Sequence, residues 1–248
     1  MRAVQVGRDG QARVVEVAEP VPGNRALVQM HAVGLCGTDS GIVSGKIAAA
    51  LPVILGHEGV GVVVRAQPGG LFQIGQRVLV DPAVWCGHCR LCIRGHPNLC
   101  GNGGLLGRDF DGLFADYAAV ADQQLLVVPD SLPVADGGLL QVLGTCVHAL
   151  RMAPVFPGDT AVVLGLGVAG QLLAQLLTGQ GVTVIGITRS PAKRDLAVRL
   201  GIDVAVAPDD GASAVADATD GRGAELVVEA VGSEATMAQA IGLAGHAG

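Results

Sequence analysis

Cys86, Cys89, Cys92 and Cys100 fall within fifteen residues in a C-x2-C-x2-C-x7-C pattern. Four soft thiolates in one loop suit a tetrahedral metal, and zinc is the usual occupant of an all-cysteine site. Such a site has no open coordination position, so the ion would hold a lobe together and do no chemistry. Two disulfides are the alternative for the same residues, but nothing else in the chain reads as secreted. A second set of ligand types is dispersed. Cys36-Gly37-Thr38-Asp39 and Gly56-His57-Glu58-Gly59 supply a thiolate, an imidazole and two carboxylates, the ligand chemistry of a catalytic zinc. A lone cysteine or histidine is more often a core or surface residue; the combination is what points to a metal. Asp39 suits the task of orienting the imidazole from behind.

The third pattern is Gly165-Leu166-Gly167-Val168-Ala169-Gly170. A G-x-G-x-x-G run carries weight only between an apolar strand and a helix, and AVVLGLGVAGQLLAQLL supplies both. Gly165 allows the tight turn, Gly167 lets the backbone approach a pyrophosphate, and Gly170 lets helix and strand pack closely. The helix start offers N–H groups and a positive dipole end to the phosphates. Gly165, Gly167, Val168, Ala169 and Gly170 are therefore candidate cofactor-binding residues. A ligand-free turn in an α/β sheet is the plain alternative. At the end of the next strand an NAD site places a carboxylate for the ribose 2′-hydroxyl. This chain has Thr188-Arg189-Ser190 there, with Lys193 and Arg194 just beyond. Cations and small hydroxyls suit a 2′-phosphate, so Thr188, Arg189, Ser190 and Lys193 favour NADP(H) over NAD(H). Ordinary solvated surface charge is the alternative for Arg189 and Lys193.

These residues need two kinds of scaffold. Residues 3–17 and 26–33 alternate apolar and polar, and further strand patterns lie at 59–65, 77–80, 113–120 and 125–128. Frequent Gly and Pro separate them, which predicts a β-rich, barrel-like first domain, residues 1–152, with a zinc lobe at about 81–104. The texture changes near 133, and 134–152 has helical spacing. From 153 to 248, strands at 161–164, 182–187, 203–206 and 225–230 alternate with helices, one of them at 191–200. That order predicts a doubly wound parallel sheet with right-handed crossovers. The chain has 248 residues, 50% hydrophobic and 2% aromatic, with 38 glycines. Its cores must come from Val, Leu, Ile and Ala. The net charge is −6 and no basic stripe is present, which argues against nucleic acid. No apolar run is long enough for a bilayer, and no signal-peptide pattern opens the chain, so no membrane association and a cytoplasmic location are expected.

CGTD, GHEGVG, the four-cysteine loop and GLGVAG, in this order, resemble the zinc-containing medium-chain alcohol dehydrogenases of the medium-chain dehydrogenase/reductase superfamily. The resemblance covers the whole chain. It implies a GroES-like catalytic domain followed by a Rossmann domain, with the active site in the cleft between them. It implies Cys36 and His57 as catalytic-zinc ligands, Glu58 close to that metal, Thr38 as the hydroxyl that takes the alcohol proton, and Asp39 as the partner of the histidine. It puts Thr145 near the nicotinamide. The implied activity is hydride transfer between a nicotinamide cofactor and a small-molecule alcohol or carbonyl substrate, in a homodimer or homotetramer.

Three departures stand out. Gln141 occupies the position of the third zinc ligand, usually Cys, Glu or Asp; a neutral amide binds more weakly, so the metal is weakly held, held with Glu58 instead, or absent. Gly41 stands where many members have a proton-passing histidine, which leaves the ribose hydroxyl and water for the relay. The chain is also roughly a hundred residues shorter than the usual two-domain size, so the Rossmann sheet is expected to be incomplete and the chain to be part of a longer protein. Two other functions remain open at this point: a metal-free enone or quinone reductase of the same fold, and a non-catalytic dinucleotide binder.

Overall fold

The computed structural model describes residues 1–246 and Gly248. Its contacts divide the chain into two compact units, Met1–Gln141 and Val142–Gly248. The sequence pattern placed the division at 152/153. The difference lies in one helix, whose Cys146 and Leu150 are buried in the core of the second unit.

The first unit contains, in order, β1 (Arg2–Val6), β2 (Ala12–Glu16), β3 (Ala26–Gly34), α1 (Gly37–Val43), β4 (Val53–Ile54), β5 (Glu58–Arg65), β6 (Arg77–Val80), β7 (Ala83–Val84), α2 (Arg90–Ile93), β8 (Gly104–Leu105), β9 (Tyr117–Val120), β10 (Leu125–Val127) and α3 (Val134–Gly137). The main sheet is antiparallel, in the order β10-β6-β5-β3-β9. A smaller antiparallel sheet runs β2-β1-β4, and β7 pairs with β8. The core under the main sheet is aliphatic, built on Val28, Val63, Val78, Val80, Leu113 and Val120. Each such side chain contributes about 1.5–3 kcal/mol when fully buried.

The β3–β5 pair positions the chemistry. Its register sets Gly34 opposite Glu58 and Val33 opposite Gly59. The chain leaving β3 therefore delivers Cys36 to the point where His57 enters β5. Close approach of these strands needs glycine: a Cβ on Gly61 would overlap the Gln29 carbonyl.

Two expected elements differ. Only Tyr117–Val120 of the predicted 113–120 strand is regular. Leu113 and Phe114 instead donate their N–H groups to the carbonyls of Gly56 and Leu55, which bends the chain around the Gly56 turn. The helical stretch 134–152 breaks into α3 and α4 (Leu140–Met152) at Gly137-Gly138. A glycine pair weakens helix continuity, and here it also gives clearance. A Cβ on Gly137 would come within 2.5 Å of the Val60 side chain on β5.

After α4, the second unit runs β11 (Thr160–Leu164), α5 (Val168–Gly179), β12 (Thr183–Ile187), α6 (Pro191–Arg199), β13 (Val204–Val206), α7 (Gly211–Thr219), β14 (Leu226–Glu229) and α8 (Glu234–Leu243). Its sheet is parallel throughout, in the order β13-β12-β11-β14. Every residue of β11 is buried. Ala161 and Val163 pack on one side with Leu173, Ala174 and Leu177 of α5. Val162 and Leu164 pack on the other with Val215, Ala240 and Leu243. Helices cover both faces, which is why the strand reads as a continuous apolar run. The order reverses at β11, and a crevice at the carboxyl end of such a switch point is the usual ligand site of an open α/β sheet. Among the described residues, no helix is long and apolar enough to cross a membrane.

Candidate functional site

The four loop cysteines converge. The Sγ separations are 4.0 Å for Cys86–Cys92, 3.5 Å for Cys89–Cys92, 3.9 Å for Cys89–Cys100 and 3.6 Å for Cys86–Cys100. A tetrahedron with zinc–sulfur bonds near 2.3 Å has edges of about 3.8 Å, so the set fits zinc. All six cysteines of the chain are free thiols here, and the four loop sulfurs stand at metal-ligand rather than disulfide separations. The loop folds its own donors inward: the Cys86 N–H reaches Cys100 Sγ at 3.4 Å. Chiefly through the backbone N–H of His88, Cys86 is pulled down to about 6. Desolvation, followed by the neighbouring Cys89, pushes Cys92 up to about 12. Crowded thiols of this kind cannot all ionise without a cation among them.

The second cluster is built from β3, α1 and β5. One ligand atom from each of Cys36, His57 and Glu58 lies within 4.8 Å of the others. Asp39, 1% exposed, ties the segments together. Its Oδ2 accepts from the Cys36 N–H at 2.9 Å, capping α1, and its Oδ1 accepts from the Gly56 N–H at 3.1 Å. The same Oδ1 stands 3.7 Å from His57 Nδ1. On the other edge of the ring, Nε2 is 3.9 Å from Glu58 Oε1. His57 thus turns Nδ1 toward Asp39 and Nε2 into the cluster. His57 is 5% exposed and Glu58 7%. Burial does most to raise the Cys36 thiol above its ordinary pKa, Thr38 opposes that, and Glu58 adds to it. A half-buried thiol facing a buried imidazole and carboxylate with no cation is a costly arrangement, and the sulfur, nitrogen and oxygen donors fit zinc.

Two glycines make room for this cluster. Gly56 has φ +92°, where a side chain would be strained and its Cβ would run into Phe114. A Cβ on Gly34 would stand 2.6 Å from Glu58 Oε2. Thr38 is half-buried, and the Cys36 thiol donates to its Oγ1 at 3.7 Å. Gly41 is buried against Ile47, whose Cδ1 would be 2.6 Å from an added Cβ, so Ile47 fills the space beside that position.

In the second unit, a groove of about 600 Å³ opens at the end of β11. Gly165, Gly167, Thr188, Arg189 and Lys193 line it, with Val231, Ser233 and Thr236 across from them. Among the described residues, its lining includes two cations and no carboxylate. The three glycines have separate reasons. Gly165 takes φ +93°, and its Cβ would strike Val231. Gly167 is the N-cap of α5 with nothing near its Cβ position, so the backbone there is open. A Cβ on Gly170 would overlap the Gly165 carbonyl oxygen. The first helical bond runs from the Gln171 N–H to the Gly167 carbonyl, and no side chain caps α5. The N–H groups of Val168, Ala169 and Gly170 therefore lack intrahelical partners, an arrangement suited to phosphate.

Residues 22–130 match the family model of the alcohol dehydrogenase GroES-like domain, and residues 168–248 match that of the zinc-binding dehydrogenases. The chain is 32% identical to an L-threonine 3-dehydrogenase of Pyrococcus horikoshii, over 93% of this chain and 68% of that protein. The chain belongs to the zinc-type alcohol dehydrogenases of the medium-chain dehydrogenase/reductase superfamily. Its two units are the GroES-like and Rossmann-type folds of that superfamily. It is 33% identical to a scyllo-inosose 3-dehydrogenase of Thermotoga maritima, over 92% of this chain and 65% of that relative. The chain thus spans about two thirds of the length of the curated relatives it matches. A crystal structure of a zinc-binding dehydrogenase from Sinorhizobium meliloti, bound to NADP, superposes with a TM-score of 0.93 at 35% identity, covering 100% of this chain and 74% of that one.

Against the sequence expectations, Cys36, His57 and Glu58 come together, as do the four loop cysteines. Gln141 is half-buried at the start of α4. Cys146 lies in the core of the second unit with its thiol toward the Ala169 carbonyl, 3.6 Å away. Val168, Ala169 and Gly170 begin α5 directly after Gly167 at the groove, Ser190 holds the N-cap position of α6, and Thr145 is exposed on α4. Val231 and Ser233 escaped the sequence reading. The only hint was Ser233 three residues ahead of Thr236, whose reciprocal side-chain caps start α8 just after β14.

Proposed function

We propose that this chain serves an NADP(H)-dependent, zinc-dependent oxidoreductase that moves a hydride between the nicotinamide and the carbon of a small-molecule alcohol or carbonyl substrate. The observation that carries the proposal is the cluster of half-buried Cys36 with buried His57 and Glu58, bound together by Asp39. When bound, zinc supplies Lewis-acid polarisation of the substrate oxygen and the nicotinamide supplies or accepts the hydride. Cys36, His57 and Glu58 are the residues that would hold the metal. Asp39 Oδ1, 3.7 Å from His57 Nδ1, faces the imidazole edge turned away from the cluster and would orient it, leaving Nε2 to ligate.

Alcohol oxidation releases a hydride from carbon and a proton from the hydroxyl. Thr38 Oγ1 is placed to accept that proton, because a hydroxyl both accepts and donates and this one sits beside Cys36. Ile47 fills the space beside Gly41, so the proton leaves from Thr38 through water or a cofactor hydroxyl. In the Rossmann unit, the free N–H groups at the start of α5 hold the pyrophosphate, and Arg189 and Lys193 favour a 2′-phosphate. The NADP-bound relative supports this preference.

The test is a panel of simple alcohols, polyols and their carbonyl partners with NADP+ or NADPH and with the non-phosphorylated cofactors. Turnover with a lower KM for the phosphorylated cofactor is expected. His57→Ala should lower kcat/KM about a thousandfold, the scale of losing several kcal/mol of charge stabilisation. Full activity in that variant would remove the metal from the mechanism.

A further inference from the structure

Arg194 does not join Arg189 and Lys193 on the groove. Its Nη1 turns back and donates to the Thr188 carbonyl at 2.8 Å and to the Arg189 carbonyl at 3.2 Å. These are the carbonyls where the chain leaves β12, the segment that the NADP(H) reading sets against a 2′-phosphate. Left free, they would present partial negative charge beneath an anion. Gln171, 7% exposed on α5, donates from Nε2 to the Lys193 carbonyl at 3.0 Å. Three carbonyls of the cationic turn, those of Thr188, Arg189 and Lys193, are thus held from behind, the last of them from α5.

The placement also runs against local preference. Helix α6 begins at Pro191 after the Ser190 cap, and its first turn contains no acid. Lys193 and Arg194 sit near a helix N-terminus, where a cation costs about 0.3–1 kcal/mol against the macrodipole. Departures of this kind are expected where function requires them.

We propose that Arg194 is a positioning residue for cofactor specificity: it neutralises and orders the Thr188–Arg189 carbonyls so that Arg189 is presented to a 2′-phosphate. The inference rests on the NADP(H) reading of the groove. It differs from that reading in assigning Arg194 a role through Arg189 and no contact with the phosphate.

The experiment is isothermal titration calorimetry on the whole chain with adenosine 2′,5′-bisphosphate and adenosine 5′-monophosphate, which differ only in the 2′-phosphate. Wild type should prefer the bisphosphate. Arg194→Met should shrink the preference about tenfold, the scale of losing charged hydrogen bonds, and leave the monophosphate affinity close to wild type. In the Arg189→Ala background, Arg194→Met should remove little more, because residues acting as one unit are not additive. Arg194→Lys keeps the charge without the two-carbonyl fork and should fall between; it takes over the test if the Met variant does not fold. A wild type with no preference overturns the NADP(H) reading and the inference with it. A wild-type preference that survives in Arg194→Met overturns the inference alone. Additive losses in the double variant also overturn it, because they mean that Arg194 touches the phosphate.

Discussion

The two metal-ligand clusters of the first unit are made in opposite ways. The four-cysteine loop takes its donors from one short stretch, and the segments that carry them are half-exposed, with little regular structure beyond the four-residue α2 and a turn at Pro97–Leu99. The Cys36–His57–Glu58 cluster takes its donors from segments twenty residues apart. Its His57 and Glu58 are buried and its Cys36 half-buried, and it is located by the β3–β5 register and by the Asp39 bridge. The loop has almost no apolar core to hold it, so on the proposed function a metal would supply its fold. The assembled cluster sits on a sheet that folds for its own reasons, so there the fold would supply the metal site. Losing the ion should therefore cost structure in one place and chemistry in the other.

The largest expected effect is on the loop. Cys92→Ser removes one of four thiolates from a site whose binding free energy is also folding free energy, on the order of 10 kcal/mol for structural zinc. Thermal unfolding should shift down strongly, and limited proteolysis should cut first between residues 86 and 100. A Cys92→Ser chain with wild-type melting and an uncut loop would break the comparison.

A smaller effect is expected at the assembled cluster. Asp39→Asn keeps the shape but loses the carboxylate facing His57 Nδ1. Removal of such a supporting group costs about 10–100-fold in metal affinity or activity. Competition with a chelating dye should show one weakened zinc and one unchanged. If both weaken together, the two sites are not independent in the way their construction implies.

How much was legible follows the same division. The loop could be read from spacing alone, because all of its ligands are local. CGTD and GHEGVG could be recognised as motifs, but nothing in their spacing told that Gly34 would face Glu58; that is a property of strand pairing. Gly165 and Gly170 were readable because each serves a contact within a few residues or beside the neighbouring strand, whereas Gly167 leaves its backbone open. The doubly wound sheet was readable because β11 and β12 are apolar runs between glycine turns. Helix α7, GASAVADAT, was not singled out, since its residues are small: Gly211, Val215 and Thr219 make its buried face, and Val215 is the one large apolar side chain among them. The split of 134–152 at Gly137-Gly138 was hidden because the reason for it, clearance against Val60, lies on another strand. Arg194 read as one more cation of the anion site; only its hydrogen bonds separate it from Arg189.

The measurement that tests the central claim most directly is zinc per chain, by elemental analysis, in the purified wild type and in His57→Ala. The account predicts close to two in the wild type and close to one, with the fold intact, in the variant. Close to one in both would mean that only the cysteine loop binds metal, and would contradict the assignment of Cys36, His57 and Glu58 to a working zinc site.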